Sequence, residues 1–418
     1  MNAMTHMRRT RPACRWCLTA LASRVRALPP LLLLVTLGGC ALADAVRPLV
    51  APASHASQQA PTCATPRAIA ATLSSQALSP GGAPLAGAFT VATQPARVCA
   101  YPTPTGAGAS LMYPAVDAQG IVWSGKMVAN TLVRLDPRTG ALREWPIPGG
   151  KGGIMDTIVD GQGMIWFTES AANFIGRFDP RTERFTAFPA PLVDGLNTEP
   201  ERLWLDARGT LWFTAHQGMR VGRLDPTTGA IHLWVVPRLA VVDGVAHPFS
   251  IAVTAAGEVW FGAAERGGAV GRLDPATGAV RLYPLPPCDS WPQDIVALAP
   301  DQAGRVWFIE HQYACMGYIE TATGQVTEWR TPPPPLAPNG SARVLNALAL
   351  DPRTGALWMT STSANALLRY QPATRTYTYY PLAIPASIPY GVALDQAGVI
   401  WFTADGGPGV TYVGALTP

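Results

Sequence analysis

The sequence predicts an all-β, seven-bladed β-propeller of four-stranded antiparallel blades. Three observations carry this: a tryptophan-centred unit that recurs seven times, turn chemistry that recurs with it, and a truncated last unit that an N-terminal strand can complete. The tryptophans are Trp123, Trp166, Trp212, Trp260, Trp307, Trp358 and Trp401, spaced by 43, 46, 48, 47, 51 and 43 residues. That period suits a four-stranded blade and is too long for a leucine-rich repeat. Hydrophobic residues make up 48% of the 418, enough for a large core, and the 40 Gly and 41 Pro supply the punctuation of a turn-rich all-β chain.

Each unit reads in order. An Asp-to-Gly turn comes first, at Asp117–Gly120, Asp160–Gly163, Asp206–Gly209, Asp301–Gly304 and Asp395–Gly398. Asp accepts turn N–H groups and Gly supplies positive φ, so each predicts a tight hairpin. An apolar–Trp strand follows, such as Ile165-Trp-Phe-Thr168 or Leu211-Trp-Phe-Thr214. The third strand reads Ile175-Gly-Arg-Phe178, Val221-Gly-Arg-Leu224 or Val270-Gly-Arg-Leu273. Asp-Pro-x-Thr-Gly turns at 136–140, 225–229 and 274–278 return the chain. The outermost strand ends in an aromatic–Pro pair, as at Trp145-Pro146 and Phe188-Pro189, a position that tolerates Pro. After Trp401 only Val410–Ala415 remains to form a strand, so the seventh blade lacks its outer strand. Arg97-Val-Cys-Ala-Tyr-Pro-Thr-Pro104 is predicted to fill that place and close the ring.

Residues 1–39 read as a lipoprotein-type signal peptide. A basic stretch ends at Arg26, the short apolar run Leu31–Leu37 follows, and Gly38-Gly39-Cys40 closes it. A run this short cannot span a bilayer. The ending resembles a bacterial lipobox, which makes Cys40 the expected lipidation site. Residues 40–93, rich in Ala, Pro, Ser and Thr with no persistent strand period, read as a low-complexity tether, and 94–418 as the propeller. The expected location is the cell envelope, periplasmic or outer-membrane, with membrane contact through the lipid alone. The formal charge of +4 falls to −2 without the six arginines of residues 1–39 (25 basic against 27 acidic), which argues against nucleic-acid binding. A monomer is expected.

Because strands alternate, both kinds of turn share one face of the ring, and the opposite face carries the variable loops where a ligand site is expected. Candidates there are Glu169, Glu199, Glu201, His216, His247, Asp294, Glu310, His311, Tyr390 and Asp405. His and Glu converging could bind a divalent metal or support acid–base chemistry, but no His-Glu-x-x-His spacing occurs. Alternation sends only alternate side chains towards the axis, so not all of these can converge. Cys288 and Cys315 lie on the variable face of the fifth blade and are expected to pair, as are Cys63 and Cys99 between tether and closing strand; free thiols or zinc ligands are the alternative.

The unit around Ile165-Trp-Phe-Thr-Glu-Ser-Ala-Ala-Asn-Phe-Ile-Gly-Arg177 is similar to that of the virginiamycin B (streptogramin) lyases, and the resemblance runs over residues 94–418. It implies a seven-bladed propeller that opens a cyclic depsipeptide antibiotic at its ester by elimination, with magnesium as cofactor. The family's last inner strand opens Glu-Pro-His-Gly, with Glu on the metal and His as base; here it reads Ile388-Pro389-Tyr390-Gly391. Asn346 stands where the family has His in the preceding blade, and Asp405 is the nearest match to a second metal-binding Glu. By resemblance Tyr390, Asp405 and Asn346 thus hold the catalytic positions, mostly with other residues. Ile388 cannot bind magnesium, and tyrosine titrates too high for a ready base. Two functions follow from this: a propeller that binds a small molecule or peptide on the variable face, or an active metal-assisted lyase or hydrolase of a cyclic depsipeptide or lactone.

Overall fold

An aspartate six residues before the tryptophan anchors five of the blades. In the computed structural model, one oxygen of Asp160 accepts the backbone N–H groups of Gln162 and Met164, and the other accepts the Trp166 indole N–H at 2.8 Å. The pairs Asp117–Trp123, Asp206–Trp212, Asp301–Trp307 and Asp395–Trp401 repeat the indole bond. One carboxylate thus closes the hairpin and fixes the ring that fills the gap between blades. The turn glycines Gly163 and Gly398 have φ of 78° and 89°, a region that L side chains rarely adopt. Before Trp260, Thr254 and Glu258 share the task instead.

The structure describes residues 89–104, 110–238, 247–264, 268–286, 294–312, 314–333, 344–382, 384–406 and 410–418, with Ser54 and short strands at Arg47–Leu49, His55–Gln58, Thr62–Ala64 and Leu73–Ser75. The signal segment, Cys40 and Cys288 lie outside them. Among the described residues no helix is long and apolar enough to cross a membrane.

Seven antiparallel blades form the ring. Blade I begins at Ala115–Val116, and blades II to VII have inner strands Thr157–Val159, Pro200–Leu205, His247–Val253, Ile295–Pro300, Leu345–Leu350 and Ile388–Leu394. The last blade takes Arg97–Pro102 as its fourth strand, paired antiparallel with Val410–Thr417 from Tyr412↔Pro102 to Thr417↔Arg97. This is the closure expected from the sequence.

The segment read as a tether contains five short strands, which corrects that reading. Arg47–Leu49 pairs with the outer strand of blade II, His55–Gln58 with that of blade I, and Thr62–Ala64 with that of blade VII. Phe89–Thr93 then adds in parallel to blade VI and carries Leu73–Ser75 outside it. Phe89 and Val91 are buried in the core, so the propeller begins before residue 94. The physical reason is that an outer strand offers unpaired backbone N–H and C=O groups, and pairing with them needs no hydrophobic period in the added chain. A disulfide joins Cys63 and Cys99, which face each other in register.

Packing explains the Gly-Arg pair of the third strands. Gly176, Gly222, Gly271 and Gly414 each lie opposite the phenylalanine that follows the blade tryptophan, and a Cβ at any of them would run into that ring. The next residue, Arg177 or Arg272, covers the Trp166 or Trp260 ring at 5.4 and 5.7 Å.

In blades II, III, VI and VII a threonine two residues after the tryptophan joins its blade to the inner strand of the next. Thr168 donates to the Glu201 carbonyl, Thr214 to Phe249, Thr360 to Tyr390 and Thr403 to Met112, at 2.7–3.1 Å. Blade IV has Gly262 at this place. Its neighbour Ser250 occupies the space and donates to the Ile295 carbonyl.

Asp206→Ala removes the acceptor for two turn N–H groups and the Trp212 indole. It should lower stability by about 1–3 kcal/mol, read as a fall in the thermal unfolding midpoint without loss of the folded β spectrum.

Candidate functional site

The inner strands of blades III to VII carry a register shift at their start, as between Pro200 and Leu203 and between Pro389 and Val392. Such a bulge re-aims the first side chains of the strand. The joining hydroxyls also accept from these starts: Thr214 from the Arg202 N–H and Thr403 from the Gly391 N–H.

The middle of the ring is filled by residues that the sequence reading passed over. Arg202 lies 3.1 Å from Asp156 and stacks 3.4 Å from the centre of the Tyr113 ring. The Tyr113 hydroxyl donates to the Asn346 carbonyl at 3.0 Å. Blades I, II, III and VI are thereby tied together across the axis. Asp156 also accepts the Thr157 and Leu203 N–H groups, yet burial holds its carboxyl above the ordinary range. Asp156 and Arg202 sit at the starts of inner strands, as His247 does.

On the variable face, blade III brings three of the candidates together. One oxygen each of Glu199 and Glu201 and one His216 ring nitrogen lie within 4.8 Å of one another. Glu201 and His216 are buried and Glu199 is half-buried. Burial, aided by His247, pulls the His216 pKa down to about 3, so the imidazole is neutral at physiological pH. His247 stacks on it with ring centres 4.8 Å apart and donates Nδ1–H to the His216 carbonyl.

Blade V holds a different group. Glu310 is buried against Glu328 on the outer strand, and burial together with that second carboxyl and Asp294 raises its pKa, opposed by Arg330. Two carboxyls this close disfavour ionisation of both together. Cys315 is close to both but is disulfide-bonded and therefore not a thiolate ligand. His311 donates Nδ1–H to the Leu345 carbonyl, and burial lowers its pKa to about 4. In blade II, Glu169 stands apart from both groups. Its Oε1 accepts the Lys151 N–H while Oε2 has no partner among the described residues.

The positions singled out by family resemblance are committed to the protein. The Asn346 amide donates to the Pro389 carbonyl and to Thr362. Asp405 accepts the Ser110 hydroxyl on one oxygen and the Thr411 hydroxyl on the other. Burial, with Asp405 and Tyr113 adding to it, pushes Tyr390 up to about 12. Ile388 is 40% exposed and has no donor atom. Magnesium requires several oxygen ligands. This corner offers one carboxylate with both oxygens engaged, so the residues here do not fit that ion.

Burial raises the Glu169 pKa from 4.5 to about 7. A carboxyl whose folded pKa is raised favours the folded state while protonated, so its contribution falls as pH rises from about 4.5 to about 7. Glu169→Gln, which keeps the Lys151 bond, should flatten the pH dependence of stability in that window by at most about 3 kcal/mol. Urea unfolding at pH 4.5, 6 and 8 measures it; an unchanged slope would show that Glu169 is ionised throughout.

The chain matches the model of the virginiamycin B lyase family over residues 86–347. It aligns with a streptogramin B lyase structure at a TM-score of 0.64 and 26% identity, over 77% of this chain and 97% of that one. A selenomethionine-substituted virginiamycin B lyase from Staphylococcus aureus aligns at 0.62 and 24%, over 74% and 95%. A catalytically inactive histidine-to-alanine variant of the Staphylococcus aureus enzyme with quinupristin gives 0.62 and 24%, over 77% and 99%. No curated protein matches the chain. With a seven-bladed ring closed by its N-terminal strand and a family match spanning most of that ring, the chain belongs to the virginiamycin B lyase family.

Proposed function

We propose that this chain is an exported, lipid-anchored propeller that binds a small molecule or peptide on its variable face and lacks the family's ester-eliminating chemistry at blade VII. The observation that carries this reading is the engagement of Asn346 and Asp405 by protein groups, beside Ile388 and a tyrosine held at about 12. Elimination needs a base poised near the working pH, and neither residue supplies one. A seven-bladed scaffold with variable loops on one face still offers a ligand platform.

Export is supported by the Leu31–Leu37 run before Cys40 and by the Cys63–Cys99 disulfide, since such bonds persist in oxidising compartments. A second reading, a metal-assisted lyase or hydrolase working from another blade, is favoured by the convergence of Glu199, Glu201 and His216.

Quinupristin incubated with the protein and magnesium should stay cyclic by mass spectrometry, at the rate of the protein-free control. Magnesium-dependent linearisation that disappears in Asp405→Ala would overturn the proposal. Cys40→Ser should move the protein from the membrane fraction to the soluble fraction after cell lysis. Unchanged membrane retention would rule out anchoring through that residue.

A further inference from the structure

The residues Glu199-Pro-Glu201 and His216 support a more specific inference. Glu199, at a left-handed φ of 54°, directly precedes the inner strand Pro200–Leu205 and Glu201 is its second residue; this irregular start brings both carboxylates to the end of the Trp strand, where His216 stands four residues after Trp212. The three candidate ligand atoms span no more than 4.8 Å. Donors bound to one ion at about 2.0–2.2 Å are separated by roughly 3.4 Å in a tetrahedral set, so modest side-chain movement would close this group around an ion.

An independent observation points the same way. His216 is 2% exposed, and among the described residues the only hydrogen-bond contact of its ring is a long one, 3.4 Å between Nδ1 and the Gln217 amide nitrogen. Among the described residues its Nε2 makes no hydrogen bond, so that nitrogen is open to a ligand. With the Gln217 amide turned over, its oxygen would accept Nδ1–H and leave the Nε2 lone pair as a ligand, the support that metal-bound imidazoles usually have. The bond from His247 to the His216 carbonyl holds the loop in place.

We propose that Glu199, Glu201 and His216 bind one divalent first-row transition-metal ion on the variable face of blade III. Two carboxylates and an imidazole suit zinc or manganese better than calcium, which takes oxygen ligands alone. Three protein ligands leave coordination positions open for a ligand oxygen. The site is separate from the blade VII corner and does not depend on whether that corner is inactive.

The test uses the purified, chelator-treated protein with the metal alone and no organic ligand, so its outcome is independent of the quinupristin assay. Calorimetric titration with zinc, and manganese binding read by electron paramagnetic resonance, should each show one ion per chain and a raised unfolding temperature. Calcium should bind at least tenfold more weakly. Glu201→Gln and His216→Ala should each weaken zinc binding at least tenfold, while Asp405→Ala should leave it unchanged. Should His216→Ala fail to fold, Glu199→Gln, at a half-buried position, reads the same loss. Absence of stoichiometric zinc and manganese binding, or equal affinity in the folded variants, would overturn the proposal.

Discussion

A threonine hydroxyl two residues after the tryptophan, present in blades II, III, VI and VII, is the constraint on which the arrangement of the variable face in those blades depends. Each inner strand from blade III onwards starts with a register shift that leaves backbone groups outside the ladder. Thr214 takes up one of these, the Arg202 N–H, and gives its own proton to the Phe249 carbonyl of the next blade. Thr403 does the same between Gly391 and Met112, across the seam where the ring closes. A buried hydroxyl left without partners costs about as much as a lost hydrogen bond, and here each one satisfies two blades together. Adjacent inner strands are therefore held at one height, and so are the side chains at their starts.

That coupling explains what was legible in the sequence. The turns, the tryptophans and the closing strand are local signals, each set by one or two residues, and they repeat. The Gly-Arg pair was visible as a motif, but its reason is a phenylalanine ring across the register, as at Gly176 and Phe167. The bulges were not visible, because a register shift is decided by the neighbouring strand. The reading that alternation alone governs which side chains converge was for that reason incomplete. The rim strands of residues 47–93 were hidden for another reason: their pairing uses backbone edges, so composition carried no trace of it.

Equivalent positions of the repeat show how far the blades have diverged. The residue three after the tryptophan and the residue before the outer-strand tryptophan face each other in blades I and V. Blade I places Lys126 and Glu144 there, an ion pair at 2.7 Å with both side chains fully buried. Blade V places Glu310 and Glu328 there, two carboxyls, with burial and the second carboxyl raising the Glu310 pKa. Blade II keeps Glu169 but has Ala187 opposite it, and the acid is left with a pKa of about 7. One pair of scaffold positions thus carries a salt bridge, an acid pair or a lone acid, and the strands are the same in all three. The fold is indifferent to which of these it holds, because its stability rests on the carboxylate turns, the rings between blades and the joining hydroxyls.

The same separation between scaffold and site bears on blades III and VII. Both present the position four after the tryptophan to the variable face, as His216 in one and Asp405 in the other. Asp405 is held by two hydroxyls and has little left to offer an ion. His216 is buried with a ring that protein groups barely engage, next to two carboxylates. A propeller has seven nearly equivalent places at which ligands can be assembled, so losing donors in one blade does not remove the capacity from the ring. What decides between blades is local: which donor atoms the end of the Trp strand and the head of the next inner strand bring together. By that criterion the chemistry of this chain is to be sought at blade III.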